Sequence, residues 1–151
     1  SEAQLATIPK WSAMLMPALL ALESLAELAL GWAFYHRMSD VAIGPALGKL
    51  KDFRFNDQLV WGVAVGASIY LLKAFVEGKT AGLNLLVFFG FLYVLRGMGI
   101  LAWMSRGTAM KVMLIIAAFF AWYIMAPLAF LIGIGDTWLD WRSRVQQAKQ
   151  Q

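Results

Sequence analysis

Two acidic residues, Glu23 and Glu27, interrupt an otherwise apolar run over residues 11–34. Their spacing of four places both carboxyl groups on one face of a helix. A carboxylate near the centre of a bilayer costs about 3 kcal/mol, so such residues generally face another helix, a cavity or a water-filled path. The pair therefore predicts a proton or cation relay, or a polar site for a small molecule, within a membrane helix.

A structural role accounts for the same two residues. Arg96, in a later apolar run, is the natural partner for one glutamate, and the other would be protonated and hydrogen-bonded to a neighbouring helix. Polar side chains join helices in this way in membrane proteins. We favour this structural interpretation, and the relay is the alternative. Asn84 lies near the opposite end of the run that contains Arg96, where we expect a headgroup contact.

Four long apolar runs determine the expected fold. Of the 151 residues, 61% are hydrophobic and 15% are charged, whereas soluble domains are closer to half apolar and a quarter charged. Runs of about 20 apolar residues cross a bilayer as helices, because backbone polar groups must be paired within the segment. We predict an all-α, polytopic membrane protein with four transmembrane helices, over residues 11–34, 58–76, 82–104 and 110–134.

The connections complete a predicted single membrane domain over residues 1–151. Residues 38–57 mix charged and apolar side chains, and we expect them to lie on the membrane surface. Pro127 predicts a kink in the fourth span. Six of the seven tryptophans lie near predicted span ends, where the indole ring favours the membrane interface.

A short amphipathic, interfacial helix is predicted after the fourth span, over residues 136–149. Asp136 is placed to cap its N-terminus. Asp140 and Arg144 have the i, i+4 spacing of a stabilising ion pair. We expect these residues and Arg142 to cap and salt-bridge a surface helix, not to act in catalysis.

Small residues mark predicted helix contacts. Gly62 and Gly66 form a G-x-x-x-G pattern in the second span, and Gly90 and Gly97 lie in the third. Small residues at such spacing let two helix backbones approach closely. We interpret all four as packing positions within the bundle, with a dimer face at residues 62–66 as the alternative.

Several kinds of site find no support in the sequence. The chain has no cysteine, which excludes disulfides and thiolate chemistry. The one histidine, His36, lies at a span end, and no further ligands at workable spacing predict a metal site. The net charge of +4 comes from basic residues scattered between the spans, which favours contact with lipid headgroups over nucleic acid. We expect no metal, no cofactor and no nucleic-acid partner.

Three segments of the closing half occur in a distinctive order. They are Phe53-Arg-Phe55, then Leu92-Tyr-Val-Leu-Arg96-Gly97-Met-Gly-Ile, and finally Gly133-Ile-Gly-Asp136-Thr-Trp-Leu-Asp140-Trp-Arg142. In this order the chain resembles the YybS-like family of bacterial membrane proteins. The resemblance implies a multi-pass protein of the bacterial inner membrane with no soluble catalytic domain and no catalytic residues.

The YybS-like family is in turn distantly similar to the substrate-binding membrane components of energy-coupling-factor vitamin transporters. That comparison implies that both termini face the cytoplasm. Those components have about six spans, whereas four are predicted here.

The predicted function is that of a non-enzymatic integral membrane protein. Its expected partners are the lipid bilayer and either other membrane subunits or further copies of the same chain, so we interpret it as a subunit or scaffold of a membrane complex. The alternative is a component of small-molecule or ion- and proton-coupled transport that uses Glu23 and Glu27.

Overall fold

The structure is a computed structural model, which describes residues 2–72, 78–105 and 107–148. These residues contain helices and no strand, which confirms the predicted all-α class. The helices are α1 (Glu2–Met38), α2 (Val60–Leu71), α3 (Lys79–Met104), α4 (Thr108–Phe120), α5 (Trp122–Leu139) and α6 (Trp141–Ala148). Two 3-10 turns, Leu50–Asp52 and Asp57–Leu59, lie between α1 and α2.

Three segments of the described chain are long and apolar enough to cross a membrane. They are Ser12–Met38, Lys79–Met104 and Trp122–Leu139. The predicted count of four spans is not confirmed. For the second predicted span, α2 has 12 residues, and residues 73–77 lie outside the described part. In the fourth, α4 has 13 residues and reaches about 20 Å, less than the roughly 30 Å of a bilayer core.

The fourth predicted span, 110–134, is interrupted at Ala121, whose φ of −118° and ψ of 35° leave the helical region. The Ala121 N–H still donates to the Ala117 carbonyl oxygen at 2.8 Å, and two later N–H groups donate to the Ala121 carbonyl oxygen. Pro127 lies inside α5, six residues after this interruption, and the predicted kink at Pro127 itself stays a prediction. Proline lacks an N–H and its ring crowds the preceding turn, which weakens the helix on its N-terminal side.

The end of the chain also differs from the prediction. Asp136 caps no helix; it is a buried residue inside α5, which continues to Leu139. Asp140 then adopts a left-handed conformation with φ 38° and separates α5 from α6. Aspartate tolerates this region better than most residues because its short side chain bonds locally. The helix predicted over residues 136–149 is therefore the end of α5 followed by α6.

The chain divides into two compact units. Unit 1 comprises Ser1–Gly48 and Trp61–Phe88, and unit 2 comprises Lys49–Val60 and Phe89–Gln151. The helix α3 contributes its first part to unit 1 and its second part to unit 2.

In unit 1, α2 and α3 approach closely at Gly66 and Gly82. A Cβ atom on Gly66 would lie 3.0 Å from the Gly82 carbonyl oxygen, and one on Gly82 would lie 2.9 Å from the Gly66 carbonyl oxygen. Only glycine fits at these positions without a shift of the backbone. Gly62 is partly exposed.

In unit 2, α3 and α5 cross with their backbones in contact. A Cβ atom on Gly97 would overlap the Ala129 carbonyl group, and one on Gly133 would overlap the Tyr93 carbonyl oxygen. Tyr93 and Ala129 are fully buried. Gly90 is different, because its nearest neighbour would be a Phe130 ring atom at 3.8 Å. The small residues of this crossing bring the polar side chains of both helices together.

Candidate functional site

The acidic pair lies on an exposed side of α1. Glu23 and Glu27 are both exposed, and neither forms a salt bridge within the described part of the chain. Ala18, which is 3% exposed, marks the packed side of the helix. At about 100° per residue, Glu27 is turned about 180° from Ala18. The carboxyl groups therefore point away from the contacts that α1 makes in unit 1.

A groove of about 520 Å³ lies beside one of these acids. It is lined by Ser24, Glu27, Leu28, Gly31 and Trp32. A Cβ atom built on Gly31 would meet no atom within 4 Å, and Leu28 is 71% exposed. The groove therefore presents a carboxyl group within an open and largely apolar wall.

The last turns of α1 hold the loop that follows it. Trp32 Nε1 donates to the Pro45 carbonyl oxygen at 3.0 Å. The His36 ring nitrogens lie 3.1 Å from the Trp32 carbonyl oxygen and 3.0 Å from the Gly44 carbonyl oxygen. Each ring nitrogen of His36 faces a backbone carbonyl oxygen, so whichever nitrogen carries the proton donates to the backbone, which gives this residue a structural role.

Asn84 joins α3 to α1 within unit 1. Its Oδ1 accepts from Ala18 N at 2.9 Å, and its Nδ2 donates to the carbonyl oxygens of Met14 at 2.7 Å and Thr80 at 2.8 Å. In a regular helix, Ala18 N would donate to the Met14 oxygen, so the amide bridges the backbone of α1 beside Pro17. The sequence predicted a headgroup contact for Asn84; the structure gives it a contact between helices.

In unit 2, Arg96 is fully buried between two carboxylates. Its Nε donates to Asp136 Oδ2 at 3.0 Å, and its Nη2 lies 3.0 Å from the same oxygen. Its Nη1 donates to Asp57 Oδ1 at 2.6 Å. Asp136 is fully buried, whereas the Asp57 side chain is 52% exposed. These ion pairs lead from the surface of unit 2 into its interior.

The counter-ions of Arg96 differ from those that the sequence predicted. Arg96 takes Asp136 and Asp57 where Glu23 or Glu27 was expected. A guanidinium group presents five N–H donors in a planar fork, which suits two carboxylates at once. Neither Asp57 nor the pairing role of Asp136 was found by sequence reasoning.

The Phe53-Arg-Phe55 segment packs against this centre. The Phe55 and Tyr93 rings meet edge to face, with centroids 5.0 Å apart. The Arg96 Cζ atom lies 5.4 Å from the Phe55 ring centroid, a favourable contact between a cation and an aromatic face. Arg142 Nη1 donates to the Phe53 carbonyl oxygen at 3.3 Å. Three distant stretches of sequence therefore meet in unit 2.

Ion pairs at the end of the chain also differ from the predicted pattern. Asp140 pairs with Arg54 at 3.0 Å. The predicted partner, Arg144, is exposed and donates its backbone N–H to the Asp140 carbonyl oxygen. Hydrogen bonding from Ser143 and the charge of Arg54 lower the pKa of Asp140, against the opposing effect of partial burial. Burial lowers the pKa of Arg142, which is 6% exposed.

The expectation that the protein binds no metal and no cofactor stays a prediction. Within the described part of the chain, no group of three His, Asp or Glu side chains comes together as a metal-binding site. Asn84 in unit 1 and Arg96 in unit 2 instead make contacts between helices.

Helices of spanning length, with an arginine ion-paired between two of them, define an integral membrane protein of the multi-pass, all-α class. The chain belongs to the family of predicted membrane proteins described as DUF2232, whose family model matches residues 2–137. The matched range includes the acidic pair on α1, Glu23 and Glu27, and the ion-paired residues Asp57, Arg96 and Asp136. Comparison with curated proteins and with solved structures gives no match.

Proposed function

We propose that this protein is a non-enzymatic subunit or scaffold of a membrane complex, and that α1 is the helix that its partners contact. The exposure of Glu23 and Glu27 on a candidate membrane span carries the proposal. Uncovered carboxyl groups in hydrocarbon cost about 3 kcal/mol each. A neighbouring protein that covers the acids removes much of this cost.

The packing of α1 supports the same function. Of the apolar window of its span, 6% is buried, against 28% for α3. Lipid chains cover exposed leucine and phenylalanine side chains as well as protein does, because both are apolar. The two acids, and not the apolar residues around them, are therefore what requires a protein partner.

A second candidate function is favoured by the groove beside Glu27. In a component of ion- or proton-coupled transport, Glu23 and Glu27 would carry the proton or cation, and Ser24 would add a hydroxyl group to the same wall. Such a path needs polar groups on its other side, which an assembled complex would supply. Proton flux in proteoliposomes, measured with a pH-sensitive dye, should then disappear in the variant with Glu23→Gln and Glu27→Gln.

The proposed cellular location rests on the resemblance to the YybS-like family. The segments that carry this resemblance meet in unit 2, where Phe55 contacts Arg96 and the Phe53 carbonyl oxygen accepts from Arg142. On this basis the protein lies in the bacterial cytoplasmic membrane with both termini on the cytoplasmic side. The similarity to the energy-coupling-factor components supports the transport alternative. Reporter fusions after α6 that fluoresce only in the cytoplasm test the orientation.

Measuring the mass of the native assembly tests the proposed function. The tagged chain, expressed at its native level and extracted in mild detergent, should be recovered with other polypeptides at a mass well above its own 16.8 kDa. The Glu23→Gln and Glu27→Gln double variant should lose these polypeptides, whereas Asp40→Asn, which changes an exposed acid in the loop after α1, should keep them. A monodisperse wild-type monomer without other polypeptides would contradict the proposal.

A further inference from the structure

We infer that the acidic face of α1, which comprises Glu23, Glu27 and the groove beside Glu27, binds a transmembrane helix of a different protein that carries a lysine or arginine at the depth of the two acids. The inference rests on the proposed function and specifies the chemistry of the partner.

The geometry of α1 separates this face from the packing inside unit 1. Asn84 holds α1 through Met14 and Ala18, and Glu27 is turned about 180° from Ala18. A second helix can therefore lie along the acids without displacing α3.

The charge of the face selects a cationic partner. Two ionised carboxylates four residues apart repel each other and lose solvation in lipid. A basic side chain between them offsets both effects, because opposite charges attract strongly where water is excluded. In unit 2 of this molecule, one arginine pairs with two carboxylates, since Arg96 contacts both Asp57 and Asp136.

The described candidate spans of a second copy do not supply the cation. In the described candidate spans, Arg96 is buried and already paired. The other basic residues of those spans, His36, Arg37 and Lys79, lie at helix ends. A two-fold contact between α1 helices brings like surfaces together and so sets acid against acid. The described candidate spans therefore offer no unpaired cation at this depth, and we assign the cation to another protein.

The groove favours a helix over a small ligand. It is open along the helix, and the absence of any atom within 4 Å of a Cβ on Gly31 leaves room for another backbone. Small residues are what allow such an approach in membranes. Exposed Leu28 and Phe34 extend the same surface with apolar contacts.

The experiment measures binding of defined transmembrane peptides to the full chain in phosphatidylcholine vesicles. One peptide is a leucine-alanine helix with a single central lysine, and its match has leucine at that position. Because the chain has no cysteine, an Ala46→Cys substitution in the exposed loop after α1 gives a unique site for a fluorescent label. Energy transfer to a labelled peptide then reports the affinity.

We expect the lysine peptide to bind at least about tenfold more tightly than the leucine peptide, a difference of about 1.4 kcal/mol. The Glu23→Gln and Glu27→Gln double variant should lose this preference. It should keep the wild-type melting temperature, since both side chains are exposed. Asp40→Asn should retain the full preference.

Equal affinity for the two peptides, or an unchanged preference in the double glutamine variant, would overturn the inference. Energy transfer between labelled copies without peptide, lost on substitution of both acids, would assign the face to a second copy and would also overturn it. The mass of the native assembly tests the proposed function independently of the peptide experiment. A large native complex combined with no preference for lysine would leave the proposed function standing and reject the cationic helix as its partner.

Discussion

The first helix, α1, and the crossing of α3 with α5 differ in whether their charged side chains are buried and ion-paired. At the crossing, Arg96 is buried and its charge is met by Asp57 and Asp136 from the same chain. On α1, Glu23 and Glu27 are exposed and have no salt-bridge partner within the described residues. At the crossing the counter-ions of Arg96 come from the same chain, whereas for Glu23 and Glu27 we propose that a second molecule supplies the counter-ion.

The two regions also differ in how their backbones pack. At the crossing, Gly97 and Gly133 leave no space for a side chain. On α1, Gly31 faces an open groove. Changes at the crossing should therefore affect folding, whereas changes on the acidic face should affect association.

The largest expected effect comes from Gly97→Ala. The added methyl group overlaps the Ala129 backbone, and α3 and α5 must separate to admit it. Separation exposes Arg96, so we expect a loss of more than about 5 kcal/mol of folding free energy. Gel filtration in detergent should show aggregated protein in place of a monodisperse peak.

Gly90→Ala is the matched control, because it lies on the same helix and its Cβ atom would have ordinary contact with Phe130 at 3.8 Å. It should be neutral or slightly stabilising, since alanine favours helices by about 1 kcal/mol over glycine. Equal behaviour of the two variants would show that the helices do not cross at Gly97.

The next largest effect is expected for Arg96→Met, which leaves Asp136 buried without a counter-ion. Breaking a buried pair on one side costs about 3–5 kcal/mol. Thermal unfolding followed by circular dichroism in detergent measures the loss. Asp57→Asn should cost about 1 kcal/mol, because the Asp57 side chain is 52% exposed and water compensates it.

A double variant sharpens the interpretation of that centre. Arg96→Met combined with Asp136→Leu removes both buried charges and should recover much of the stability that Arg96→Met alone loses. If the double variant is as unstable as the sum of the two single variants, the two side chains do not act as a pair.

A smaller effect is expected for Asn84→Leu. The substitution removes the bridge to Met14 and Ala18 and should destabilise the α1 contact by about 1–2 kcal/mol, the upper range for polar contacts between membrane helices. Ser68→Ala is the control, since the Ser68 hydroxyl donates within its own helix. Its melting temperature should stay within about 1 °C of wild type, because solvent-exposed changes alter stability little. A similar loss in both variants would mean that Asn84 holds no second helix.

The fold class could be predicted because apolar length alone requires helices in lipid. The division of the fourth predicted span into α4 and α5 was not predicted, because hydropathy is continuous across Ala121. The hydropathy pattern does not indicate that the backbone hydrogen bonding changes there. An uninterrupted span over residues 110–134 also puts Asp136 and the end of α3 on opposite sides of the bilayer. The prediction therefore gave no reason to pair Asp136 with Arg96.

Asp57 could have been found from the sequence. In the predicted topology, the start of the second span and the end of the third lie on the same side, which brings Asp57 to the level of Arg96. Glu23 and Glu27 were predicted as partners of Arg96 instead, because an acid in the middle of a span costs more free energy in lipid than an acid at a span end. Exposure of those acids depends on which face of α1 packs, and the even distribution of apolar residues around that helix does not reveal it.

The smallest predicted effect concerns pH and the pair of Asp140 with Arg54. Hydrogen bonding from Ser143 and the charge of Arg54 lower the pKa of Asp140 in the folded protein. The stabilisation is therefore fully present above the unfolded pKa of about 3.9 and is lost as the pH falls through the lower, folded value. The Asp140 side chain is 40% exposed, so the effect is small. The melting temperatures of wild type and Asp140→Asn should differ slightly at pH 6 and converge below pH 4. A difference that stays constant or widens on acidification would show that Asp140 acts through the backbone turn between α5 and α6 and not through its charge.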